Sequence, residues 1–130
     1  MSKLTPFLMF EGKAEEAINF YTSIFKDSEI TRLARYGEGE PGKEGEVYQA
    51  AFVINGQEFL CMDSTIQHAF TFTPSISLFV ECDSEEELDL SYAALLVDGQ
   101  ALMPINNYGF SKKFGWVQDK FGVSWQLNLQ

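Results

Sequence analysis

The sequence predicts an α+β fold: two copies of a strand, helix and three-strand module, forming curved mixed sheets around a central cleft. Three observations predict it. Strand-like and helical periodicities recur in the same order in both halves of the 130 residues. The run Leu8-Met9-Phe10-Glu11 before a Glu-rich helix is echoed by Leu78-Phe79-Val80-Glu81 before another, and each helix carries a tyrosine, Tyr21 and Tyr92. The offset of about 70 residues is too long for a solenoid repeat and fits a duplicated module, with module 1 at about 1–66 and module 2 at about 67–130 of one domain. Each sheet would have one face covered by its own helix. The other faces, side by side, would leave a concave ligand site.

The elements follow in order. Residues 3–10 read as a strand and residues 13–25 as an amphipathic helix, because Ala14, Ala17, Ile18, Tyr21, Ile24 and Phe25 recur at three- and four-residue intervals. Residues 28–37 read as a strand, and the stretch Gly37 to Gly45 is a mobile loop by composition. Asn55-Gly56 between the apolar runs Val47 to Ile54 and Gln57 to Asp63 marks a hairpin, since both turn residues accept positive φ. The second module opens with a strand from Ser75 to Glu81 and a helix from about Glu85 to Val97. Ser84 and Glu87 fit a capping box, Leu88, Tyr92, Leu95 and Leu96 form the apolar stripe, and Gly99 is a C-terminal cap. Strands are expected around Ala101 to Met103, at Phe114 to Gln118 and at Val123 to Leu129, with Gly122 supplying a left-handed turn residue between the last two.

Composition narrows the function. A chain of this length buries about two-thirds of its unfolded surface and folds without disulfides or structural metal. Hydrophobic residues make up 45% and aromatics 15% of it, in short groups. No run reaches the roughly 18 apolar residues of a membrane helix, and the N-terminus lacks the layout of a signal peptide. The expectation is a cytoplasmic protein. Nine basic residues against nineteen acidic ones, a formal charge of −10, argue against nucleic acid. The acidic surface suits a cationic ligand, or serves solubility alone. Cys61 and Cys82 have neither CxxC spacing nor histidine company and read as buried reduced thiols. His68 is the lone histidine, in the loop joining the modules.

Several segments together resemble a known family. They are Thr5-Pro6-Phe7-Leu8-Met9-Phe10, Ala14-Glu15-Glu16-Ala17 with Phe20-Tyr21, Ile54-Asn55-Gly56-Gln57-Glu58-Phe59, Ile76-Ser77-Leu78-Phe79-Val80 and the run from Gly115 to Gln126. They resemble the PhnB-like branch of the vicinal oxygen chelate superfamily of glyoxalases, bleomycin-resistance proteins and dioxygenases. The resemblance implies the duplicated βαβββ fold and a homodimer. The branch often carries the label 3-demethylubiquinone-9 3-methyltransferase. The sequence gives that activity no support, because the one Gly-rich stretch is acidic and leads into a strand, not a helix.

The superfamily's metal enzymes hold a divalent ion with His, Gln or Glu side chains. Carried onto this sequence, the first-strand ligand falls at Thr5 or Pro6, its repeat partner at Ser75 and the final-strand glutamate at Gln126, with another expected between Glu58 and Asp63. Thr, Pro and Ser do not replace such ligands, so the usual metal is expected to be absent and no cofactor is assigned. Strand alternation instead puts Thr5, Phe7, Met9, Ser75, Ser77, Phe79 and Gln126 on the cleft side, joined by Trp116 if the hairpin register allows. Leu4, Leu8, Phe10, Ile76, Leu78 and Val80 then lie under the helices. That lining suits a small, partly aromatic ligand with one or two polar groups; equally, its apolar members could close the cleft as core.

The preferred reading is a protein that binds a small organic molecule without metal. A second is a metal-dependent glyoxalase- or dioxygenase-like enzyme with atypical ligands such as Gln126, Asp63 or His68. A third is a dimeric interaction module with a closed cleft.

Overall fold

The computed structural model describes residues 2–130. The chain separates into two compact units, one running through His68 and one over Ala69–Gln130.

The first unit contains β1 (Phe7–Phe10), α1 (Ala14–Ile24), β2 (Ser28–Arg35), β3 (Val47–Ile54) and β4 (Gln57–Asp63). Its sheet runs β1-β4-β3-β2, with β1 parallel to β4 and the other pairs antiparallel. The register brings Leu8 beside Cys61 and Phe59 beside Phe52, and their face packs under α1. Ala14, Ala17, Ile18 and Tyr21 on the helix are fully buried there. The Tyr21 and Phe52 rings lie 6.3 Å apart, and Phe52 stacks on Phe59 at 5.1 Å. Asn55 and Gly56 have φ of 49° and 84°, as the hairpin turn demands. Residues 3–6 fall outside the strand expected over 3–10, because Pro6 has no N–H to give a ladder, although its carbonyl still accepts from Leu60 N–H at 2.9 Å. Leu4 consequently lies not under α1 but 90% exposed. The acidic glycine loop folds over Tyr36: Gly45 N–H donates to the Tyr36 carbonyl at 3.0 Å, and a side chain at Gly42 would overlap the Tyr36 ring.

The second unit contains β5 (Ser77–Glu81), α2 (Glu85–Leu96), β6 (Gln100–Asn106), β7 (Lys113–Gln118) and β8 (Ser124–Leu129). Its sheet, β5-β8-β7-β6, repeats the topology of the first, again with one parallel pair, β5 with β8. Val80, Trp125, Leu127, Val117 and Gly115 share the face under α2, where Leu88, Tyr92 and Leu95 are buried. Gly115 is glycine because a Cβ there would meet the Tyr92 ring at 2.6 Å. Three sequence expectations are corrected here. The strand begins at Ser77 rather than Ser75, because Pro74 and Ser75 form a turn in which the Thr73 and Ser75 hydroxyls bond at 2.8 Å; Ile76 is therefore 76% exposed. β6 extends to Asn106 through Pro104, tolerated on an edge strand with two register shifts. The left-handed residue after α2 is Asp98, φ 58°, while Gly99 is needed where the backbone passes close to the Gln118 carbonyl.

Candidate functional site

The two helices are started by different means, and one of them engages Asp63. Ser84 caps α2 locally, its hydroxyl accepting from Glu87 N–H at 3.1 Å, and the Glu87 carboxylate accepts from Asp83 N–H at 2.6 Å. Lys13 offers α1 no side-chain cap. Asp63, from the end of β4, serves instead: Oδ1 accepts from Gly12 and Ala14 N–H at 2.8 and 2.9 Å, and Oδ2 from Val47 N–H at 2.9 Å. At 1% exposure this carboxylate is a structural anchor. Asp119 plays a similar part, with Oδ1 accepting from Phe121 and Val123 N–H and Oδ2 from the Trp125 indole at 2.9 Å.

The opposite sheet faces carry no helix of their own unit. In the first unit, Phe7 beside Leu60 and Met9 beside Met62 make an apolar open face, on which Phe7 is 51% exposed. In the second, the register aligns three rows across all four strands. One runs Phe79, Gln126, Trp116, Met103, a second Ser77, Ser124, Gln118, Gln100, and a third Glu81, Asn128, Phe114, Asn106. Four of the predicted lining residues, Ser77, Phe79, Trp116 and Gln126, therefore share one surface, and Phe7 and Met9 share the open face of the other unit. Thr5 and Ser75 lie off the strands, before β1 and in the turn before β5. The hairpin register that left Trp116 open is set by its pairing with Gln126.

Sequence reasoning missed Ser124. Its hydroxyl lies 2.7 Å from that of Ser77 and accepts from the Trp116 indole N–H at 2.8 Å, so both serine hydroxyls are engaged within the sheet. The signal was present, since Ser124 stands two residues from Gln126 and alternation puts both on one face.

Among the described residues, no group of three or more His, Cys, Asp or Glu side chains is arranged to hold a metal ion. Asp63 is filled by backbone donors, and His68 Nε2 bonds the Ser64 hydroxyl at 2.9 Å. The residues that the resemblance places at the superfamily's ligand positions, Thr5 or Pro6, Ser75 and Gln126, offer hydroxyls and a neutral amide and no imidazole or carboxylate. Cys61 is fully buried, and burial, then the Asp63 charge, pushes its thiol up to about 12, which disfavours the thiolate. Cys82 is likewise pushed up to about 12, chiefly by burial. Among the described residues no helix is long and apolar enough to cross a membrane.

A family model described as 3-demethylubiquinone-9 3-methyltransferase matches residues 2–128. A solved structure described as a putative 3-demethylubiquinone-9 3-methyltransferase, PhnB protein, from Bacillus cereus is 60% identical. It covers 99% of this chain and 100% of its own, with a TM-score of 0.96. Protein PA1353 from Pseudomonas aeruginosa is 23% identical over 100% of this chain and 98% of its own, at TM-score 0.87. The fosfomycin resistance protein FosX from Listeria monocytogenes is 13% identical over 100% of this chain and 94% of its own, at 0.67. The last two are likenesses of fold alone. No curated protein sequence matches the chain.

Proposed function

Because the chain belongs to the 3-demethylubiquinone-9 3-methyltransferase family of PhnB-like proteins, within the vicinal oxygen chelate (glyoxalase, bleomycin resistance, dioxygenase) superfamily, we propose that it binds a small organic molecule on the open face of its second unit, without the superfamily's usual metal ion. The observation that carries this reading is the row Phe79, Gln126, Trp116, Met103. Two aromatics, an amide and a thioether side by side give a ligand apolar contact and neutral hydrogen bonding, and none of them is charged. Phe79 is 57% exposed, a large apolar side chain left open on a sheet whose other face is well covered.

Methyl transfer, which the family's description names, is not part of the proposal. The Gly-rich stretch Gly37 to Gly45 joins the antiparallel strands β2 and β3, whereas a nucleotide-type cofactor site needs a glycine turn between a parallel strand and a helix.

A thermal-shift screen of small aromatic molecules, run with and without Mn, Ni, Zn and Fe, tests the reading. Binding stabilises the native state by about 2.7 kcal/mol at a ligand concentration 100 times Kd. We expect hits that need no metal and that weaken in Phe79→Ala and Trp116→Ala. Near-stoichiometric divalent metal in protein purified without chelator, lost in Gln126→Ala, would favour an atypical metalloenzyme instead. We further infer a homodimer and a cytoplasmic location. Exposed apolar residues such as Leu4 and Ile76 support the first, and two unpaired, buried cysteines the second. Sedimentation equilibrium checks the dimer, and a monomer at micromolar concentration excludes it.

A further inference from the structure

On the open face of the second unit, the polar side chains of the two inner strands, β7 and β8, are bonded within the sheet or to its edges, with the exception of one amide. Ser77 and Ser124 bond each other, and Ser124 also holds the Trp116 indole. Gln118 Nε2 donates to the Gly122 carbonyl at 3.1 Å. Asn128 Nδ2 donates to both Glu81 oxygens at 3.0 and 3.1 Å, and its Oδ1 accepts from the Ser111 hydroxyl at 2.5 Å. On the two inner strands of this sheet, β8 and β7, that leaves the half-buried Gln126 amide as the side-chain group of the open face with no bond to another described group.

Its neighbours define what it can read. Phe79 flanks it on β5 and Trp116 on β7, so the two aromatics bracket a floor two strand spacings wide, roughly 10 Å. Trp116 is held by its bond to Ser124, so little side-chain freedom is lost when a ligand lands beside it. A primary amide offers a carbonyl acceptor and an N–H donor in one plane. No ion stands in the row to compensate a charged ligand, and the one carboxylate on this face, Glu81, is engaged by Asn128.

The geometry points to a neutral, planar ring whose edge carries a donor beside an acceptor, as a lactam does. The ring contacts Phe79 and Trp116, and the Gln126 amide pairs with that edge. This assignment rests on the reading of the face as a ligand surface, and names the ligand's chemical class.

Three probes test it by ¹H–¹⁵N spectra of the tryptophan indoles: 2-quinolone, 1-methyl-2-quinolone, which lacks the donor, and naphthalene, which lacks both groups. Trp116→Phe assigns the two signals. The Trp125 indole, buried and bonded to Asp119, reports that the fold is intact. We expect 2-quinolone to move the Trp116 signal and not that of Trp125. N-methylation should weaken binding about tenfold, and Gln126→Leu should cause the same loss and erase the preference between the two quinolones, whereas Gln126→Glu, which keeps an acceptor for the ring N–H, should retain it. If all three probes move Trp116 with equal affinity, or the preference survives in Gln126→Leu, the amide has no such role, while the ligand-face reading stands. If none of the three moves Trp116, both readings fall.

Discussion

Asp63 joins parts of the first unit that lie far apart in sequence: the start of α1, the start of β3 and the end of β4. Hydrogen bonds to a charged group contribute about 1.5–3 kcal/mol each, and removing an acceptor strands its buried donors. Asp63→Ala should therefore lower unfolding free energy by about 3 kcal/mol or more, read as a drop in urea midpoint. Asp63→Asn, which keeps one acceptor, should cost less. The two thiols make a second residue-scale prediction. Each has a folded-state pKa raised from 9.0 to about 12. A proton held more tightly in the folded state contributes stability that is complete below pH 9 and lost as pH rises toward 12. Urea midpoints taken from pH 8 to 11 should decline, less so in Cys61→Ala and Cys82→Ala double-variant protein than in the parent. A thiol reagent at pH 8 should label neither cysteine until denaturant is added. Residues of this kind also mark where sequence reading stops. Phe79 and Gln126 were legible because alternation alone assigns a face. The capping role of Asp63, which the sequence offered only as a metal-ligand candidate, and the roles of Asp119 and Ser124 were not legible, because their partners are backbone N–H groups, indole N–H groups and a hydroxyl that only the folded register brings near.

The helices were legible from their apolar spacing, and the β3–β4 hairpin from Asn55-Gly56, because those signals lie within a few adjacent residues. Element ends were less so. Thr5 and Ser75 were placed on strands because alternation continues through Pro6 and across the Pro74 turn, yet no ladder forms there. β6 was expected only around Ala101 to Met103, whereas it runs on through Pro104 to Asn106, since proline is tolerated on an edge strand. The local cap of α2 supplies a prediction at this scale. Ser84→Ala should cost about 1 kcal/mol, measured by thermal or urea unfolding. Gly99→Ala should exceed the ordinary cost of such a change near a helix end, because its Cβ would also lie 3.1 Å from the Leu95 carbonyl. Parental stability in the Gly99→Ala variant would show that the backbone yields there.

Across the whole molecule, nineteen acidic side chains face nine basic ones. The ion pairs that form, such as Arg35 with Glu15 at 2.6 Å and Lys113 with Asp89 at 2.8 Å, are solvent-accessible and contribute little. Net repulsion should prevail at low salt, where the screening length is about 30 Å, and fade near 0.1 M, where it is about 10 Å. Calorimetric melting temperatures should accordingly climb as NaCl rises from 10 to 300 mM. A fall would mean that the ion pairs outweigh the repulsion. The strand orders β1-β4-β3-β2 and β5-β8-β7-β6 have a further consequence. In each unit the strand made last sits inside the sheet, between the first strand and the third. On the ribosome, β1, α1, β2 and β3 emerge before β4 can join them, and β5 through β7 wait in the same way for β8. The antiparallel pairs β2–β3 and β6–β7 can form on the way, but β1 and β5 have no partner until the closing strand leaves the exit tunnel, so that is the interval in which a nascent chain of this design exposes the most unpaired strand edge.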